Sequence, residues 1–175
     1  MKIRKINHLP IKKRIKEVLL DLGFIWLYLL LLFLLTMGFY TIILGKIPRL
    51  TESQSQLTAT LTSVLPIILL FTYLDYGKGS FGKRWAGLEL VYRKKTVLAS
   101  LARSTVKFLP WQLGHMGTIR AIYKGDSWAI VLTTLSLLFM LLLIVMTIFS
   151  KDKRHLGDLL AGSQVQEKQA SNEGT

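Results

Sequence analysis

The sequence predicts an all-α integral membrane protein: a small transmembrane helical bundle with three clear spans and a fourth, broken or amphipathic membrane segment. Three apolar runs carry this reading. Residues 18–44 hold 27 positions with Asp21 as the only charge, residues 57–74 hold 18 with none, and residues 127–150 hold 24 with none. A helix rises about 1.5 Å per residue and a hydrocarbon core is about 30 Å thick, so roughly 20 apolar residues cross it. A chain of 175 residues has too little polar sequence elsewhere to wrap three helices that are apolar all round, which speaks against a soluble bundle. The expected spans are 18–44, 57–74, 97–119 and 127–149. They lie within one domain over 11–166, between a basic segment at 1–17 and a disordered polar tail at 167–175.

The first span follows a basic stretch, as a signal peptide would. Its apolar core is far longer than the roughly 7–15 residues of a signal h-region, and no small-residue cleavage site follows, so it reads as a retained anchor. The second begins soon after a short polar loop, 45–56. The chain has no cysteine, which removes disulfide frameworks, thiolate metal sites and a cysteine nucleophile.

The net charge of +13 is distributed unevenly. Residues 1–17 carry seven Lys/Arg against one acid, and residues 75–126 carry ten against three, whereas residues 45–56 carry only Lys46 and Arg49 against Glu52. Such a surplus suggests a nucleic-acid surface in a soluble protein, yet no nucleic-acid motif accompanies it. Beside membrane segments it sets orientation and attracts anionic lipid headgroups. The bias expects the N-terminus and 75–126 in the cytoplasm and 45–56 outside.

Three crossings would then leave Lys151, Lys153 and Arg154 outside, against the same bias. Residues 97–119 offer a solution, being apolar apart from Arg103, Lys107 and His115. As a fourth crossing they would have to turn those cations toward protein or water. Pro110, Gly114 and Gly117 suggest a kinked or broken helix. The alternative is an interfacial amphipathic helix with Arg103 and Lys107 toward headgroups. The crossing is favoured because it satisfies the charge bias at both ends.

Asp21 lies about one turn inside the first run, where an ionised carboxylate needs a partner or water. Arg14, Glu17 and Asp21 share one helical stripe, but Arg14 and Asp21 are about 10 Å apart along the axis, so each wants partners from another helix. Asp21, with Glu17, could bind a cation or proton; equally it could lock the bundle through Arg103, Lys107 or Arg154. Gly77, Gly82 and Lys83 match a P-loop spacing, but Arg84 stands where magnesium needs Ser or Thr, so a glycine turn presenting basic residues to the membrane surface reads better. His155 and Asp158, at i and i+3, suit a cap or ion pair and are too few for a metal site. Ser80, Ser104 and Ser163 have no base and orienting acid. No enzymatic activity, cofactor or metal is expected.

Taken together, three motifs resemble the RDD family of membrane proteins, named for one arginine and two aspartates. They are Arg14 with Asp21 seven residues on; Gly79-Ser80-Phe81-Gly82-Lys83-Arg84 followed by Gly87-Leu88-Glu89-Leu90-Val91; and the Asp158-Leu159-Leu160-Ala161-Gly162-Ser163 ending. Their order covers 11–166. Leu90 interrupts the family's G-L-x-V pattern, Gly157 stands where many members have His, and Ser163 replaces the commoner Thr. The resemblance carries over Arg14, Asp21 and Asp158 as signature residues, and implies a membrane transporter of unassigned substrate, with cation/proton exchange proposed for some members. The expectation is a multi-pass protein of a bacterial plasma membrane, working as a homo-oligomer in contact with lipid. A non-transporting scaffold or accessory subunit is the alternative.

Overall fold

The computed structural model describes residue 3, residues 8–77 and residues 79–168. Helix α1 (Ile11–Gly38) runs on through a π-helical turn at Phe39–Ile43. Helix α2 (Glu52–Ala59), a second π-helical turn (Thr60–Val64) and α3 (Leu65–Tyr76) form one continuous rod. The short α4 (Phe81–Trp85) and strand β1 (Leu88–Tyr92) lead to α5 (Val97–Tyr123) and α6 (Ser127–Phe149). The short α7 (Leu156–Leu160) and β2 (Ser163–Glu167) complete the described chain.

Local chemistry explains the less regular points. The second rod starts five residues before its apolar run because Thr51 and Gln54 form a reciprocal capping box: Gln54 N–H donates to Thr51 Oγ1 at 3.3 Å and Thr51 N–H to Gln54 Oε1 at 2.9 Å. Pro66 has no N–H for the carbonyl of Thr62, and the hydroxyl of Tyr28 donates to that oxygen instead. The residues at Ile11–Ile43, Glu52–Tyr76 and Ser127–Phe149 are long and apolar enough to cross a membrane, with mean hydropathies of 2.6, 1.9 and 2.8. Their outer faces carry exposed Trp26, Leu35, Ile42, Ile130 and Phe149, a covering suited to lipid and ruinous in water.

Helix α5 packs on α2, α3, α6 and α7. It runs antiparallel to the second rod. Near its start Ser100 Oγ donates to Thr72 O at 2.8 Å, and near its end Gln112 Nε2 donates to Thr60 Oγ1 at 2.9 Å. Its last turn meets the start of that rod, where Lys124 pairs with Glu52 at 3.0 Å. Contrary to the broken segment expected from Pro110, α5 is one uninterrupted helix. Pro110 is buried, and its carbonyl accepts from Ser136 Oγ of α6 at 2.6 Å.

The all-α expectation omits a small antiparallel ladder in which Leu88 faces Glu167 and Tyr92 faces Ser163. The tail expected to be disordered from residue 167 begins inside β2, whose last residue is Glu167. Residues 163–167 are a strand, with Gln164, Val165 and Gln166 buried. A polar composition concealed it, because Val165 alone joins Leu9, Ala86 and Leu88 in the apolar cluster beneath. Residues 169–175 and most of 1–7 lie outside the described residues.

Helices α5 and α6 meet closely at Gly117, where a Cβ would stand 2.4 Å from Thr133 Oγ1 and 2.9 Å from Thr133 N. Gly117→Ala should push α5 from α6 and cost about 1–3 kcal/mol. Gly23→Ala, with nothing within 4 Å of the new methyl, should be neutral or stabilising by up to about 1 kcal/mol. Thermal unfolding of the two variants in detergent checks both outcomes.

Candidate functional site

The start of α1, the end of α3, the start of α5 and the chain after α6 meet at one end of the bundle, and their charged side chains form a continuous network. Arg14 NH1 pairs with Glu17 Oε2 at 2.6 Å, and Glu17 Oε1 with Lys83 Nζ at 3.2 Å. Lys83 reaches Asp75 Oδ1 at 3.0 Å, and the other Asp75 oxygen accepts from Arg103 NH1. Arg103 Nε donates to Asp158 Oδ1 at 2.6 Å, and His155 Nε2 lies 3.3 Å from Asp158 Oδ2. A side branch joins Asp21 to Lys107 at 3.4 Å. Four cations (Arg14, Lys83, Arg103, Lys107) thus meet four carboxylates (Glu17, Asp21, Asp75, Asp158). Burial of charge is costly unless each is paired and hydrogen-bonded.

The glycine-rich loop is the junction. Ser80 Oγ donates to Asp21 Oδ2 at 2.8 Å while accepting from Lys83 N at 3.4 Å and Lys83 Nζ at 3.1 Å. A hydroxyl has one donor and two acceptor lone pairs, so its capacity is filled. Lys83 likewise spends its three ammonium protons on Glu17, Asp75 and Ser80. Gly82 N–H donates to Asp21 Oδ1 at 2.9 Å. A Cβ at Gly82 would lie 2.3 Å from the Glu17 carbonyl oxygen, so this glycine is what lets α4 touch the backbone of α1. Gly79 turns the chain at φ +95°.

The structure corrects the reading of this loop as a basic surface patch. Lys83 is fully buried; of the loop's basic residues that the structure describes, Arg84 is the exposed one, stacked 4.8 Å over the Phe81 ring. Burial disfavours the Lys83 ammonium, yet Asp75 and Glu17 outweigh it and raise the lysine above its ordinary value. Asp75, which the sequence reading did not single out, closes α3 and is a central member of the network. The signal was available: a lone acid closing an apolar run eight residues before a lysine.

Arg14 and Asp21 make no direct contact and each finds partners elsewhere, Arg14 reaching Glu17 and the Lys153 carbonyl. Arg154 clamps the chain ending, donating to Ser163 O at 2.7 Å and Asp158 O at 2.9 Å. His155 Nδ1 accepts from Gly157 N–H at 3.0 Å, capping α7, so its proton resides on Nε2 facing Asp158. Burial pushes His155 down to about 4, with Arg103 reinforcing and Asp158 opposing. Burial alone would raise Asp158, but Arg103 and then His155 hold it well below the carboxylate range. Among the described residues no group of three or more His, Asp or Glu is arranged to hold a metal ion.

These features define a small helical membrane protein closed at one end by buried, charge-balanced ion pairs drawn from every long helix or the turn beside it. The chain belongs to the RDD family, whose profile matches residues 10–162. No curated protein and no solved structure matches it.

The His155 cap makes stability acid-sensitive. His155 is depressed from 6.5 to about 4 on folding, so the unfolded chain takes up the proton first as pH falls. The neutral cap's contribution is intact above pH 6.5 and declines below it, by about 2 kcal/mol at pH 5. His155→Asn keeps an N-cap acceptor without the titration. Melting curves between pH 7 and 5 should fall for the native protein and stay nearly flat for the variant.

Proposed function

We propose that this protein is a membrane transporter exchanging a small cation for a proton, with Asp21 and Lys107 as the exchanging pair. The observation that carries the proposal is the uneven tightness of the network. The Asp21–Lys107 link is its longest ion pair at 3.4 Å, and the Lys107 side chain is 27 % exposed, whereas that of Lys83 is fully enclosed. Lys107 has this one carboxylate partner among the described residues and otherwise rests over the rings of Phe71 and Phe108, at 4.3 and 5.3 Å. A cation taking its place on Asp21 while Lys107 gives up a proton leaves the charge of the site unchanged. The remaining pairs hold the helix ends in register.

The orientation in this reading is a four-crossing one. Helix α5 reaches the polar groups at both ends of the bundle, which favours a crossing beside the three apolar spans. The Lys/Arg bias then assigns the ionic end to the cytoplasm, where exposed Lys12, Lys16, Lys94 and Lys95 suit anionic headgroups of a bacterial plasma membrane. The apolar outer faces leave room for a homo-oligomer.

One observation favours a non-transporting scaffold: both Asp21 oxygens already accept from Ser80 and Gly82. Flux separates the two readings. In proteoliposomes carrying a pH-sensitive dye, added Na⁺, K⁺ or Li⁺ should drive proton movement through the native protein. Asp21→Asn and Lys107→Gln should lower it by about ten-fold or more, the scale of a lost charge-assisted contact, in protein whose circular dichroism shows it folded. Silence from folded native protein with all three cations would leave the scaffold reading in its place.

A further inference from the structure

A second file of polar residues lies on the other side of the apolar core from the ionic network. A groove of about 540 Å³ opens between α2 and α5 at the end opposite the network, with Glu52 and Lys124 in its mouth. Its wall continues inward through Gln56, whose Nε2 donates to Met116 O at 3.1 Å, to the Thr60–Gln112 pair at 2.9 Å. Just deeper, Ser63 Oγ lies 3.4 Å from His115 Nε2. From Glu52 to Ser63 the rod descends about 16 Å, half of a hydrocarbon core. Oε1 of Gln56 is buried with no protein partner among the described residues. A buried polar oxygen beside a roomy polar groove is where an ordered water belongs.

The file ends on aromatic rings. His115 stacks on Trp111 at 5.8 Å between centroids, Trp111 meets Phe108 at 6.2 Å, and Phe108 meets Phe71 edge-on at 4.9 Å. Beyond them the next polar group is Lys107, its ammonium resting on the same Phe71 and Phe108 rings. Trp111 and then the Phe108–Phe71 pair therefore separate His115 from the Lys107–Asp21 pair.

We propose that this groove is a water-filled half-path from the Glu52 end to His115, closed by Trp111, Phe108 and Phe71, and that its cargo is the proton. Arg120, paired with Glu52 and Asp126, belongs to the charged mouth; below it the polar lining groups, set among Leu57, Met116 and Leu132, are amides, hydroxyls and an imidazole, which relay protons through water and offer no carboxylate to hold a metal cation. The proton cargo rests on the exchange reading above; the water-filled path does not.

Because the native chain has no cysteine, each depth can be probed singly. A charged, membrane-impermeant methanethiosulfonate reagent is added to one face at a time of sealed vesicles holding Ser53→Cys, Gln112→Cys, Ser63→Cys or Phe71→Cys protein. Ser53→Cys at the mouth reports the open face. From that face Gln112→Cys and Ser63→Cys should label, and Phe71→Cys about ten-fold or more slowly, since a charged reagent does not enter a dry core. Adding Trp111→Ala to Phe71→Cys should restore labelling. Unreactive Gln112→Cys and Ser63→Cys in folded protein, or Phe71→Cys labelling as fast as they do, would overturn the path. Labelling in this pattern from protein without flux would retire the exchange reading and keep the path.

Discussion

A charge in a membrane bundle must meet its opposite, and here the meeting is concentrated at Lys83. This lysine sits in the short α4, not a spanning helix, yet its ammonium touches Glu17 of α1 and Asp75 of α3, and Asp75 passes the contact to Arg103 of α5 and so to Asp158 of α7. Removing one buried partner strands another, at a cost of about 3–5 kcal/mol. Dispersion between apolar helices in lipid is weakly directional, so the ion pairs select which helix ends come together. Replacing the whole network by apolar residues could leave the bundle as stable, but would remove what fixes its register.

That selection constrains topology. The starts of α1 and α5 and the ends of α3 and α6 must lie in one layer, which demands that the long helices alternate in direction. The ladder of β1 and β2 serves the same layer, tying the chain after α4 to the chain after α7. Ser163, the first residue of β2, donates to Asp158 Oδ1 at 3.0 Å. The family's three separated motifs are thus parts of one contact surface, and their wide spacing in sequence reflects the lengths of the helices between them.

Legibility followed the physics of each signal. The stripe of Arg14, Glu17 and Asp21 could be read because helical periodicity and the cost of an intramembrane carboxylate act within one segment. The apolar spans were legible for the same reason. The burial of Lys83 against Glu17 and Asp75 was not, since a basic glycine-rich loop is usually solvated and nothing local reveals that Gly82 will bring it against α1. Pro110 argued for a break that Ser136 and the packing of α6 prevent, and β2 was hidden because its register depends on β1, some 75 residues away. In each failure the deciding partner came from another element.

The division of polar groups into two files gives the bundle its asymmetry. At the ionic end charges are matched and enclosed; on the other side the file runs through amides and hydroxyls to an open mouth where Glu52 pairs with Lys124 and Arg120. An apolar layer of Ile25, Ile67, Phe71 and Phe108 lies between them. In the path proposed above, Phe71 and Phe108 are the movable part of this layer, since a rotation of one ring would alter the barrier without disturbing a backbone hydrogen bond. Lys107 is placed to sense that rotation because its ammonium is attracted to the ring faces as well as to Asp21. Any change at Phe71 or Phe108 therefore alters the balance of forces on the loosest ion pair of the network, coupling the barrier to the charge it guards.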